Sequence, residues 1–172
     1  MSEANEGVAR DRELRRFVIV APLVPLRVGD EFAADAWPLH VTLVPPFSAP
    51  MAPPALSRII ETACNGIATL TVHATGKQFF GRRRDVPVVT LDLSPELLRL
   101  HVALLDALEP SIRQPFDAHH VRDGYRPHVT TRHASDIQPG SAVSLPTVAS
   151  VDQHPDGDRH RRRVVSMTVL GG

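Results

Sequence analysis

The chain has 172 residues, is 42% apolar and 22% charged, and its nineteen basic and nineteen acidic residues cancel to a formal net charge of zero. That is the make-up of a globular chain large enough for one core, and the missing net field excludes bulk electrostatic attraction to nucleic acid or to an anionic membrane. Nowhere does it hold the ~20 consecutive apolar residues that a membrane-spanning helix needs, and its single cysteine, Cys64, rules out an intramolecular disulfide and fits a reducing cytoplasm.

In chain order, residues 1–13 are polar, rich in Glu and Arg, and expected to fray; residues 14–172 are read as a single bilobal domain with no internal linker. Arg15-Arg16, the apolar run from Phe17 and Ala34-Asp35-Ala36 imitate a secretion signal, but Pro22 and Pro25 interrupt the run and acidic residues precede it. Leu14–Ala21 contains Phe-Val-Ile-Val, apolar on both faces, which predicts a central strand. Residues 22–38 form a long connection with a helical turn near Asp30–Ala36, and Leu39–Val44 is a strand ended by Pro45-Pro46. Pro53-Pro54 opens a helix whose Leu56, Ile59, Ile60 and Ala63 fall on one stripe, with Asn65-Gly66 as its stop. Cys64 lies on that helix as a packing residue.

Ile67–Thr75 and Val86–Leu93 alternate as strands, joined by the exposed turn Gly81–Asp85 with its three arginines. Ser94-Pro95-Glu96 starts a second helix, with Ser as N-cap and Glu facing the dipole. It runs to Leu108 on a leucine stripe that includes His101, which is expected to be bonded to backbone at the core edge. Pro110–Gly124 is irregular, Arg126–Arg132 is a strand, and strands at Ala142–Val151 and Arg163–Leu170 flank the polar turn Asp152–Arg162.

One tripeptide recurs in this series: His40-Val41-Thr42 returns as His128-Val129-Thr130. Strand side chains alternate faces, so each copy presents a His and a Thr together and a Val behind them. His73-Ala74-Thr75 also fits His-x-Thr, so the bare pattern is weak. The identical valine and the matching positions in two similar runs of elements single out the first pair and leave His73 as a surface or edge residue.

Leu39-His40-Val41-Thr42-Leu43 and Arg126-Pro127-His128-Val129-Thr130, supported by Phe17–Val20, Val88–Leu93 and the helix from Ser94, make the chain resemble the two-histidine phosphoesterase superfamily, which includes the 2′-5′ RNA ligase-like proteins. The resemblance covers nearly all of the chain from about residue 14. It implies an α+β fold of two lobes related by a pseudo-twofold axis, with two antiparallel sheets flanking a central cleft and helices outside. It makes His40 and His128 the catalytic histidines, acid and base respectively, and Thr42 and Thr130 the phosphate-anchoring hydroxyls. The flanks depart from the pattern: Val44-Pro45-Pro46-Phe47 follows the first motif, and Thr131-Arg132-His133 follows the second where many relatives keep an apolar residue. Smaller cyclic phosphates therefore stay open beside RNA ends.

The chemistry suits the residues. Opening a 2′,3′-cyclic phosphate, or cleaving a 2′-5′ phosphodiester, needs water deprotonated on one side of phosphorus and a leaving alkoxide protonated on the other. Two imidazoles with ordinary pKa near ~6.5 can be one neutral and one charged at once. Threonine hydroxyls can hold the non-bridging oxygens, and no metal or other cofactor is expected. Either histidine could take either role on the sequence alone, and the reverse, RNA ligase-like reaction exchanges them. Tyr125, Arg126, Arg132 and Phe47 are possible substrate contacts, through stacking on a base or pairing with phosphate. Gly81–Arg84 and Arg159–Arg163 are solvated turns that could also serve as a phosphate-contacting rim. The substrate is expected to be a small nucleotide or RNA terminus, with no membrane partner, and the chain to act as a monomer.

Two other classes fit parts of the inventory. A metal protein could use His119, His120, His128 and His133, but that set has no Cys, no HExxH and no regular helical spacing. A noncatalytic module binding nucleotide or RNA would keep the same motifs without turnover.

Overall fold

The structure, a computed structural model, describes residues 13–132 and 136–171. Its elements are β1 (Arg15–Pro22), β2 (Glu31–Ala33), β3 (His40–Ala49), α1 (Pro53–Cys64), β4 (Leu70–Phe80), β5 (Val86–Leu91), α2 (Pro95–Leu108), β6 (His128–Thr130), β7 (Ala142–Leu145), β8 (Thr147–Asp152) and β9 (Arg161–Val169). The strands lie in the order β2-β9-β8-β1-β3-β6-β5-β4-β7, and every neighbouring pair is antiparallel.

The mixed α and β class is as expected; strands dominate and the helices pack on one face. The expectation of two sheets needs correcting, because the two lobes are halves of one ladder joined where Val41 pairs with Val129. Hydrogen bonding between strands nearly ninety positions apart leaves no local mark in a sequence. The order is nearly palindromic about that joint, with β1 flanking β3 on one side and β5 flanking β6 on the other.

Helices α1 and α2 cover one face. Their buried Leu56, Ile60, Leu97, Leu100, Leu104 and Leu105 pack with Phe17, Ile19, Val41, Leu43, Val89 and Val129 of the sheet in the main core. A second, smaller cluster of Val18, Val20, Ala149, Val151 and Val164 lies on the opposite face beneath Phe32 and Trp37. β1 is therefore buried on both faces, as its unbroken apolar run requires. α2 starts as the sequence dictates, with the Ser94 hydroxyl accepting from the Leu97 N–H at 3.1 Å. Neither helix is long and apolar enough to cross a membrane.

Three local expectations give way to longer-range pairing. The segment expected as a helical turn contains β2, which pairs with β9 through Phe32 and Arg162. β3 does not stop at Pro45-Pro46 but runs on to Ala49. The prolines sit at a bulge where the register against β1 shifts between Phe17↔Phe47 and Ile19↔Val44. β6 pairs with β3 only at Val41, so the other edge of this stretch asks for no ladder donor that proline lacks. Finally, Ala142–Val151 is two strands: β7 pairs with β4, and after Pro146 β8 pairs with β1 and β9. The chain thus passes from one half of the sheet to the other at Pro146. Leu170 N–H donates to the Pro146 carbonyl at 2.8 Å and Gly171 N–H to that of Ile67 at 2.8 Å, so the sheet curls and its two halves meet there.

Candidate active site

The central ladder brings the two tripeptides together. With Val41 opposite Val129 in antiparallel register, His40 comes opposite Thr130 and Thr42 opposite His128, at the spacing where cross-strand side chains touch. Val41 and Val129 are fully buried in the core, which fixes the alternation and turns the two His and two Thr to the other face, all partly exposed. A one-residue slip would send all four into the core and both valines into solvent.

Each histidine is held the same way. His40 Nδ1 lies 2.7 Å from the Pro38 carbonyl and His128 Nδ1 lies 2.8 Å from the Arg126 carbonyl, in both cases the residue two places earlier. A carbonyl only accepts, so Nδ1 carries the proton and Nε2 is left for chemistry. Burial pushes both imidazoles below their ordinary pKa, against a smaller upward pull from those backbone bonds. His40 is lowered further by the charge of His128, and His128 by the charges of Arg126 and His120.

The two rings also have matching flanks, which the sequence did not disclose. Trp37 lies 4.7 Å from the His40 ring, with the Arg162 guanidinium 5.9 Å from the centre of Trp37. Phe80 lies 4.8 Å from the His128 ring in an edge-on arrangement, with the Arg126 guanidinium 5.0 Å from the centre of Phe80. Trp37 is the chain's one tryptophan, three residues before the first motif. That placing was the available signal; Phe80, forty-eight positions before His128, offered none.

The cleft on this face has two parts that share Thr42 and Pro46. One, of about 930 Å³, is lined by His128, Tyr125, Arg126, Gln78, Phe79, Phe80, Arg84, His119 and His120, among others. The other, of about 550 Å³, is lined by His40, Thr130, Trp37, Asp35, Arg132 and Gln153, among others. His40, His128, Thr42, Thr130, Arg126 and Arg132 thus border one continuous cleft, and Tyr125 lines its floor. Tyr125 is buried, its ring stacked 3.9 Å from that of His101 with the planes within 6°, and its hydroxyl donates to the Thr42 carbonyl at 2.9 Å. Phe47 is not in the cleft. It is buried in the main core 6.0 Å from Phe17 and 6.0 Å from Phe116, because β3 runs on past the prolines and Phe47 keeps the inward facing of Val41, Leu43 and Ala49, and a stacking role for it is set aside.

The remaining histidines and arginines sort cleanly. His101 is fully buried, with Nδ1 2.6 Å from the Leu43 carbonyl and Nε2 accepting from the Arg122 N–H at 2.9 Å; it is a structural residue, as expected. His73 is exposed on β4 and borders neither part of the cleft. His133 lies outside the described residues, and among those described no three His, Cys, Asp or Glu side chains cluster as metal ligands. Cys64 is buried and its thiol is pushed up to about 11 by burial. Of the second basic run, Arg161 and Arg163 pair with Glu31 and Arg163 also with Asp156, while Arg162 donates to the carbonyls of Gln153, Arg159 and Arg161. That run serves the β2–β9 edge. The turn at Gly81–Arg84, by contrast, borders the larger part of the cleft.

The fold has solved counterparts. Escherichia coli LigT complexed with 3′-AMP aligns with a TM-score of 0.54 at 20% identity, over 93% of this chain and 100% of that chain. TT0787 of Thermus thermophilus aligns with a TM-score of 0.56 at 16% identity, over 91% of this chain and 98% of that one. A protein solved as a phosphoesterase gives 0.55 at 18% identity, over 93% and 100%. Identities this low speak to the fold alone, and no curated protein matches in sequence. The model of the 2′-5′ RNA ligase superfamily, however, matches residues 13–148, a span that takes in both tripeptides and the β3–β6 joint between them. By that match, on a fold whose solved counterparts include LigT, the chain belongs to the 2′-5′ RNA ligase superfamily.

Proposed function

We propose that the chain is a metal-independent phosphoesterase that opens a 2′,3′-cyclic phosphate, or cleaves a 2′-5′ phosphodiester, at a nucleotide or RNA end by acid–base catalysis between His40 and His128. The observation that carries this reading is the mirrored pair of Nδ1-to-carbonyl bonds, at 2.7 and 2.8 Å, which presents two Nε2 atoms to one cleft.

His128 Nε2, neutral, takes a proton from water as the water oxygen bonds to phosphorus. The bond from phosphorus to a ribose oxygen breaks, and His40, protonated at Nε2, gives its proton to that leaving oxygen. The cycle leaves His128 charged and His40 neutral, and exchange with solvent resets them. With a ribose hydroxyl in place of water, the same transfers join that hydroxyl to the cyclic phosphate: His128 takes the hydroxyl proton as its oxygen bonds to phosphorus, and His40 protonates the ribose oxygen that leaves. Thr42 and Thr130, each opposite a histidine, donate to the non-bridging oxygens and hold phosphorus in line. Arg126 and Arg132, one on each side, contact the anionic substrate, and Tyr125 positions Thr42.

The test is turnover of adenosine 2′,3′-cyclic phosphate in EDTA by the wild type, His40→Ala and His128→Ala. Wild-type turnover should survive chelation, and each variant should lose about 10²–10⁴ in kcat/KM, the usual worth of a positioned acid or base. Variants as active as the wild type would overturn the assignment. Tight binding without turnover would favour a noncatalytic nucleotide-binding module.

A further inference from the structure

The part of the cleft beyond His128 is larger and more basic than one reacting phosphate requires. Its lining includes Arg84, Arg126, His119 and His120 and, among the described residues, no carboxylate. Among the described residues the ion-paired arginines lie elsewhere: Arg15 with Glu13, Arg122 with Asp106 and Glu109 at 2.8 and 2.9 Å, and Arg161 and Arg163 with Glu31, Arg163 also with Asp156. Neither Arg84 nor Arg126 has an ion pair among the described residues. Arg126 instead contacts Gln78 Oε1 at 3.4 Å and lies over Phe80, and only His120 approaches an acid, Asp117 at 3.9 Å. Arg84 is held at φ 51°, a left-handed conformation uncommon for a non-glycine residue, on the tight turn after Phe80. Beside it Phe79 is 64% exposed on the cleft lip.

Exposed cations without counter-charges in a concave, partly apolar site attract an anion more strongly than the same cations on a flat face. The reacting phosphate sits at the His and Thr ladder, while the Arg126 guanidinium rests on Phe80, whose ring also contacts His128. At about 930 Å³, this part of the cleft has room at Arg126 and Arg84 for an anion besides the one undergoing reaction. The positive field also reaches the histidine, whose pKa is lowered in part by Arg126 and His120.

We infer that Arg84 and Arg126 form a second phosphate site, so that the preferred substrate carries another phosphate beside the cyclic one. This rests on the function proposed above and narrows its substrate class. Two sources would supply such a group: a 5′-phosphate on a mononucleotide, or the preceding phosphodiester of an RNA 3′ end.

Three substrates separate them: adenosine 2′,3′-cyclic phosphate, its 5′-phosphorylated form, and the dinucleotide ApA ending in a 2′,3′-cyclic phosphate. The wild type should favour at least one phosphate-bearing substrate by about tenfold or more in kcat/KM, with the preference falling as salt rises. In Arg84→Ala and Arg126→Ala that ratio should move toward one, whatever happens to the absolute rate. Preference for the 5′-phosphate alone marks a mononucleotide enzyme, and preference for the dinucleotide alone marks an RNA-end enzyme. Equal kcat/KM on all three, with turnover intact, overturns the second site and leaves the function standing. Absence of turnover on all three would remove the function itself, so calorimetry with adenosine 2′-phosphate and adenosine 2′,5′-bisphosphate decides the site independently. Tighter binding of the bisphosphate, lost in Arg84→Ala, supports it, and equal binding overturns it.

Discussion

The Tyr125 hydroxyl donates to the Thr42 carbonyl at 2.9 Å, so a residue of the loop before β6 grips the backbone of β3 beside the proposed phosphate anchor. The same ring stacks on His101, which is itself bonded to the next carbonyl of β3, that of Leu43. Two successive carbonyls of the active-site strand are thus held from α2 and the following loop. Tyr125→Phe keeps the stack and removes one hydrogen bond, which should cost about 1 kcal/mol in urea unfolding. It should also lower kcat several-fold through Thr42. A cycle with Thr42→Ala checks the route: in the Thr42→Ala background, Tyr125→Phe should have little further effect on kcat. Additive losses would place the tyrosine's role elsewhere.

Under the proposed mechanism, His40 and His128 set a pH profile with a definite sign. Both are lowered from 6.5, chiefly by burial, and the reaction needs one neutral and one protonated. The singly protonated pair is most populated between the two apparent pKa values, so kcat/KM should be bell-shaped with its optimum on the acid side of 6.5. A bound phosphate anion favours both protonated forms, so the optimum for kcat should lie higher. Initial rates at subsaturating and saturating cyclic nucleotide measure the two profiles. A kcat/KM optimum above pH 7 would contradict the burial of the pair.

His101 makes stability depend on acid. Its Nδ1–H faces the Leu43 carbonyl and its Nε2 accepts from the Arg122 N–H, so only the neutral ring fits. Its pKa is lowered by burial first, with the charge of Arg122 adding to the effect. The unfolded chain therefore takes up a proton near pH ~6.5 that the folded chain resists, and stability present above that pH is lost as pH falls through and below it. His101→Phe has nothing to titrate, but leaves a buried carbonyl and a backbone N–H unpaired, a loss of about 2–4 kcal/mol at pH 7.5. The gap between wild type and variant in urea midpoint should narrow from pH 7.5 to pH 5.

These residues also show what a sequence can disclose. Val41 and Val129 alternate with His and Thr over a strand period, so the common facing of the two histidines and two threonines is legible from six residues. Ser94 announced α2 because its cap is local. Trp37 and Phe80 carry no assignment from the sequence, and Gly81–Arg84 reads only as a solvated turn or a phosphate-contacting rim, because these residues come to the cleft only after β2 folds against β9 and the β4–β5 hairpin against β6. Phe47 was placed wrongly for a related reason. Alternation from Val41 and Leu43 turns Phe47 to the core only if β3 continues to it, and nothing in Val-Pro-Pro-Phe reveals that the prolines do not end the strand.

Gly124 offers a test of how the larger part of the cleft is shaped. It lies in the turn Arg122–Gly124 just before Tyr125, and a Cβ there would collide with the carbonyl oxygens of Ala118 and His119. Those atoms are backbone and cannot swing aside as a side-chain tip does. The segment carrying His119 and His120 is exposed, so Gly124→Ala should push it outward rather than unfold the core. Overpacking of this kind costs about 1–3 kcal/mol, and relief by an exposed loop puts the loss at the low end. His120 would then move away from His128, whose pKa its charge helps to lower. With that repulsion weakened, His128 should hold its proton to higher pH, and the acid limb of kcat/KM should shift upward in Gly124→Ala. His120→Ala removes the same charge without moving the backbone and should shift the limb the same way, with stability unchanged. A shift in Gly124→Ala alone would mean that the glycine acts on the site through Tyr125 instead.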